Sequence, residues 1–152
     1  MWSENVITVG GSFKTDRIFE LAKPQLVELV NNSDFRFKDS ERLFQAINGN
    51  DYGLIYRVTH PSTGKICIVL MGLGVRGTEA AGFYFRTNAS VLGKMFGDKD
   101  FAFLVHVRID HGKETATPCW YLPEPKLINK LFHPVISFKK LRRLKRSLLS
   151  QC

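Results

Sequence analysis

The chain has 152 residues, 44% of them apolar and 24% charged, which suits one folded domain and excludes wholesale disorder. Its formal net charge is +8, so a partner rich in negative charge is expected. The longest apolar runs, such as Ile66 to Met71, are far too short to span a bilayer.

In chain order, residues 4–9 read as a short strand or extended arm. Thr15-Asp16 starts a helix whose apolar positions Ile18, Ala22, Leu26 and Val30 recur at helical spacing. Pro24 either kinks it or opens a second one, and Asn31-Asn32-Ser33 ends the region. A second helix is expected over Ser40 to Asn48, with a capping Ser, an apolar face of Leu43, Phe44 and Ile47, and a stop at Gly49.

The period then changes. Tyr52 to His60 and Lys65 to Met71 are β-rich runs joined by Pro61-Ser62-Thr63-Gly64, which predicts a hairpin with the second run covered on both faces. Phe83 to Arg86 reads as another strand and Asn88 to Phe96 as a short helix ending at Gly97. From Phe101 to Asp110 the alternation is clean, with Phe101, Phe103, Val105, Val107 and Ile109 on one side. His111-Gly112-Lys113 turns the chain, Thr117 to Leu122 returns beside it, and Pro123 to Leu131 is a short helix. The expected fold class is α+β (mixed α/β): helices packed on a largely antiparallel, hairpin-rich sheet, followed by a basic amphipathic C-terminal helix.

No repeat or low-complexity linker divides the chain, so residues 1–136 are expected to form a single domain and residues 137–152 a tail. Cys67, Cys119 and Cys152 lack the short spacing of a zinc ribbon. Together with an N-terminus that has no apolar signal region, they suggest a reduced, cytoplasmic setting. Cys67 sits in an apolar strand, as a small buried hydrophobe does.

Gly72-Leu73-Gly74-Val75-Arg76-Gly77 spells G-x-G-x-x-G directly after an apolar strand. In a dinucleotide fold such glycines let the backbone approach a pyrophosphate at a helix N-terminus. Here Thr78 to Phe85 reads as loop and strand, so a flexible turn leaving the strand accounts for them. His106, Arg108, Asp110, His111 and Glu114 cluster around one hairpin, where alternate strand residues share a face. Turn chemistry by itself also places polar residues there. A metal would need a further ligand such as His60, and no ligand spacing demands one. Neither a nucleophile elbow nor a metalloprotease helix nor a Walker loop occurs.

Lys139, Lys140, Arg142, Arg143, Lys145 and Arg146 fall within residues 137–152, which hold no acid. Setting those six aside leaves 16 Lys and Arg against 14 Asp and Glu, a charge of +2, for residues 1–136. As a helix, Phe138, Leu141, Leu144 and Leu148 form one stripe and the cations cover the remaining surface. Nucleic-acid phosphates, an anionic membrane and an acidic protein partner are the candidate ligands; a solvated charged helix is the plain alternative.

From Asp51 to Leu131 the order of features resembles the restriction-endonuclease-like, or PD-(D/E)XK, group. Asn50-Asp51-Tyr52-Gly53 opens the hairpin and Lys65-Ile66-Cys67-Ile68-Val69 is the central strand. Phe101-Ala102-Phe103-Leu104-Val105 then precedes Trp120-Tyr121-Leu122-Pro123. The central strand has no D/E-x-K, and Glu124-Pro125-Lys126 follows the last strand. The resemblance therefore implies a non-catalytic relative or one with migrated residues, and it carries over only Asp51.

The leading expectation is a cytosolic accessory protein, of the kind carried by phage or mobile elements, that binds nucleic acid electrostatically. Its six tail cations are joined by Lys126, Lys130 and Arg108, and no cofactor is required. Two alternatives remain. One is a Mg²⁺-dependent nuclease assembled from Asp51, Glu79, His106 and Asp110. The other is an inhibitor whose basic helix docks on an acidic protein.

Overall fold

The computed structural model describes residues 3–10, 18, 19, 22 and 25–123. The expected helices at Pro123 to Leu131 and in the tail lie outside these, as do Lys126, Lys130 and the six tail cations. The elements are β1 (Val6–Val9), β2 (Val27–Val30), β3 (Asp34–Phe37), β4 (Leu43–Gln45), β5 (Asn50–Thr59) and β6 (Ile66–Gly72). Helix α1 (Val75–Phe96), β7 (Phe101–Arg108) and β8 (Thr117–Leu122) follow. The expected α+β class stands: a five-stranded sheet in the order β1-β6-β5-β7-β8, a three-stranded sheet in the order β2-β3-β4, and a long helix. Every pairing is antiparallel except β1 with β6.

The large sheet is the middle of three layers. Alternation sends Tyr52, Leu54, Tyr56 and Val58 of β5 to one face, where they meet Phe35, Phe37 and Phe44 of the small sheet. Ile55, with Phe103, Val105 and Val107 of β7, faces the other way onto Ala80, Ala81, Leu92 and Phe96 of α1. Strand β6 contributes Cys67, Val69 and Met71 to the first core and Leu70 to the second, as its two-sided apolar pattern predicts. Burial pushes the Cys67 thiol up to about 11, which makes it a core residue with little thiolate at neutral pH. The Tyr56 hydroxyl accepts from the Leu26 amide at 3.2 Å, and burial pushes its phenol up to about 12.

Three elements differ from the sequence-based expectation. Ala22 donates to the Ile18 carbonyl, as in a helical turn, but Val27–Val30 is strand β2 and not the end of a helix. The cause is Asn31 and Asn32, at φ 52° and 56°, which form a tight turn closed by Ser33 N to Val30 O. Asparagine tolerates that left-handed conformation, and the turn folds β3 back on β2. Ser40 to Asn48 is not a helix either. Ser40 Oγ accepts from the Arg42 amide in a local turn, and Phe44 leaves it as part of β4, paired with Phe35. Finally, Phe83 to Arg86 is not a strand but lies inside α1, which extends the expected Asn88–Phe96 helix by thirteen residues at its N-terminal end. Tyr84 stacks on Phe103 at 5.3 Å, so sheet contact holds the aromatic run in a helix against its strand propensity.

Candidate functional site

The G-x-G-x-x-G segment does have the strand–turn–helix setting that was not expected from its sequence, because α1 begins at Val75 immediately after β6. Its anion seat, however, is filled from within. Asp51 lies on β5, on the helix side of the sheet, and is 3% exposed. Its Oδ1 accepts from the Tyr52 amide at 2.7 Å and the Gly74 amide at 3.0 Å, and its Oδ2 accepts from the Gly77 amide at 2.7 Å. The first turn of α1 has no acid of its own and no local side-chain cap. A carboxylate contributed 23 residues upstream therefore satisfies two orphan amides and meets the positive end of the helix dipole.

Close backbone approach makes this possible. A Cβ on Gly53 would stand 2.2 Å from the Gly77 carbonyl oxygen, and one on Gly77 would stand 2.1 Å from the Tyr52 carbonyl oxygen. Both glycines are needed for contact between strand and helix, and the G-x-G-x-x-G spacing serves packing here.

His106 sits on the opposite face of the sheet from Asp51. It pairs in register with Tyr52, its ring centroid lies 5.3 Å from the Tyr52 ring, and its Nε2 is 2.9 Å from Asn50 Oδ1. Burial, then the nearby Arg108 charge, pull its pKa below the ordinary histidine value, which favours the neutral ring. Around it runs a connected aromatic set: Tyr52 meets Phe44 at 5.5 Å, and Phe44 meets Trp120 at 5.9 Å and carries the Arg42 guanidinium at 5.1 Å. Trp120 Nε1 donates to Asp39 Oδ1 at 3.0 Å, tying β8 to the loop after β3.

Asp110 is exposed at the tip of the β7–β8 connection. It accepts from Arg108 Nε at 3.0 Å and lies 3.1 Å from His111 Nδ1. The hydrogen bond from Arg108 chiefly holds its carboxyl below the usual range. Glu79 is on the outer surface of α1, paired with Arg76 at 2.9 Å. Asp51, Glu79, His106 and Asp110 thus occupy three settings: a buried helix cap, an exposed helix face and one hairpin end. His60 belongs to the other end of the sheet, where its Nδ1 accepts from the Ser62 and Thr63 amides at 3.2 and 3.3 Å. Among the described residues, no three His, Cys, Asp or Glu side chains are grouped to hold a metal ion.

Elsewhere, an open groove of about 540 Å³ beside β2 and β3 has Gln25, Glu28, Arg36, Lys38, Ser40 and Glu41 among its lining residues. Its acids and bases are mixed, and Glu28 and Arg36 pair with each other. The capping role of Asp51 is the feature that the sequence concealed. Its only signal there was an acid opening a strand that pairs with the one leading into the glycines.

No known protein family, curated protein or solved structure was found to match this chain. Among the described residues no helix is long and apolar enough to cross a membrane.

Proposed function

We propose that the protein binds nucleic acid through its phosphate backbone, using the basic stretch Lys139–Arg146. One observation carries this reading: six of the eight net positive charges lie in that stretch, with no acid in residues 137–152. The rest of the sequence supports it by contrast, because residues 1–136 carry a net charge of only +2. Cations gathered in one stretch without acids can neutralise phosphates and release counterions. Lys126 and Lys130 precede the stretch and add to it. Arg108 is engaged by Asp110 in the body.

The test is binding of a labelled DNA duplex by fluorescence anisotropy across a salt series. If four to six cations engage, log K should fall against log salt with a slope of about −4 to −5. Arg142, Arg143, Lys145 and Arg146 changed together to Gln should abolish most of that slope while keeping helix propensity. A chain ending at residue 136 should keep cooperative unfolding and lose binding. Sequence preference should be slight, since phosphate contacts carry no base information. An unchanged slope in the four-Gln variant overturns the proposal. So does binding to anionic vesicles but not to DNA, which would make the stretch a membrane-surface element.

A further inference from the structure

We infer that β1 is an interaction surface for a second copy of the chain: two copies pair antiparallel along their β1 edges and join their large sheets into one. The contact is independent of the basic stretch proposed above to bind nucleic acid.

The strand order makes β1 and β8 the two edges of the large sheet. β1 is fastened to β6 at both ends. Asn5 Oδ1 accepts from the Ile66 amide at 2.9 Å, and the Gly10 amide donates to the Leu70 carbonyl at 2.9 Å. Backbone groups alternate in direction along a strand, so Val6, Thr8 and Gly10 turn theirs to β6 while Ile7 and Val9 turn theirs to the open side. Among the described residues no strand pairs with that side. Unpaired amides and carbonyls along a strand edge are a template for another strand.

The side chains suit the same use. Ile7 pairs in register with Ile68 and Val9 with Leu70, which places both on the α1 face of the sheet. Helix α1 packs across β5, β6 and β7, and Ile7 and Val9 are left 61% and 66% exposed. The devices that normally blunt an edge are missing, since Asn5 to Gly10 hold no charge and no proline. The other edge has such devices: β8 contains Pro118, and its register with β7 shifts between Leu104 and Val105.

An identical strand completes this edge about a two-fold axis. With the axis at Thr8, Ile7 of each copy exchanges backbone hydrogen bonds with Val9 of the other, and their side chains form apolar cross-strand pairs. The charge pattern agrees. Two chains at +8 repel one another, so self-contact is least opposed at a segment that carries no charge. A charged partner, by contrast, finds nothing to match it between Asn5 and Gly10. One short strand per copy buries less than the roughly 1,000 Å² of a lasting complex, so the dimer is transient.

Sedimentation equilibrium of the full chain, freed of nucleic acid, tests this from micromolar to near-millimolar concentration. The wild type should pass from monomer toward dimer, and further at higher salt, because salt screens the repulsion between like-charged copies. Ile7→Lys puts a charge on the edge. Val9→Pro removes an outward amide and leaves the bonds to β6 in place. Each change enters twice in a symmetric contact, so each should weaken dimerisation by about tenfold or more. Ile47→Lys, at a side chain 54% exposed in the loop between β4 and β5, adds the same charge and should dimerise like the wild type. Thermal melts check that each variant folds, and Ile7→Lys alone decides if Val9→Pro does not. A wild type that stays monomeric throughout overturns the inference, whether another protein or another segment of this chain takes the edge. So does an Ile7→Lys variant that dimerises like the wild type, an Ile47→Lys variant that dissociates as far, or an association that weakens with salt.

Discussion

Replacing Asp51 by Ala removes the acceptor of three backbone amides at 2.7–3.0 Å. Two of them, Gly74 and Gly77, are orphan donors of the first turn of α1, and the Gly77 bond is buried. A hydrogen bond to a charged acceptor contributes about 1.5–3 kcal/mol, and a buried donor left unsatisfied costs about 1–3 kcal/mol. Loss of the favourable charge at the helix start adds up to about 2 kcal/mol in a partly buried setting. These effects overlap, since they describe the same bonds, so the expected loss is about 3–5 kcal/mol. Against a total stability of about 5–15 kcal/mol, that is a large fraction. Asp51→Asn keeps one oxygen acceptor but turns the other position into a donor facing an amide, so roughly half the loss is expected. Urea titration, with the slope of the unfolding free energy held equal between variants, measures the difference. If Asp51→Ala unfolds within about 1 kcal/mol of the wild type, the cap is not what holds the helix to the sheet.

Two further outcomes follow from the same region and from His106. Gly53→Ala and Gly77→Ala each place a Cβ near 2 Å from a backbone oxygen, so both should destabilise by about 3 kcal/mol or more. Gly82→Ala and Gly93→Ala in α1 meet nothing within 4 Å and should instead stabilise by about 0.5–1 kcal/mol; equal effects at all four sites would refute the packing argument. For His106 the folded pKa is depressed by burial and by Arg108, so below about 6.5 the unfolded chain takes up a proton that the folded chain resists. Stability should therefore fall as pH drops below about 6.5 and level off below the folded pKa. His106→Gln should flatten that part of the urea midpoint's pH profile, and an unchanged profile would show that His106 carries none of it.

The strands that could be read directly are those whose pattern is self-sufficient. In β7 the alternation of Phe101, Phe103, Val105 and Val107 marks one face without reference to any neighbour, and all four face α1. The β5–β6 pair was legible for the same reason, since two long β-rich runs flank a Pro-Ser-Thr-Gly turn. Val27–Val30 and Leu43–Gln45 were not legible. With four and three residues, they are too short for a period to declare itself, and they become strands by pairing with β3. The run Phe83-Tyr84-Phe85 failed differently. Its local preference is for strand, yet the spacing of Gly77, Ala81, Leu92 and Phe96 allows a continuous helix to lie along the sheet, and that contact wins.

Asp51 shows the corresponding limit for a site. An acid at the start of a hairpin strand, followed by a glycine-rich turn, carries the same letters whether it holds a metal or caps a helix. What separates the two is where the carboxylate oxygens point, and that depends on the approach of Gly53 to Gly77 across the sheet. Once the helix packs that closely, the amides of Gly74 and Gly77 converge on the Asp51 side chain and an internal carboxylate takes the seat a phosphate would use. A second anion there would meet a negative charge already in place, so the most phosphate-like motif of the sequence is unsuited to phosphate. The excess of positive charge lies elsewhere, in the stretch whose composition alone sets it apart. Glycine spacing was ambiguous because its meaning is set by tertiary contacts, whereas six cations without an acid keep their net charge in any conformation.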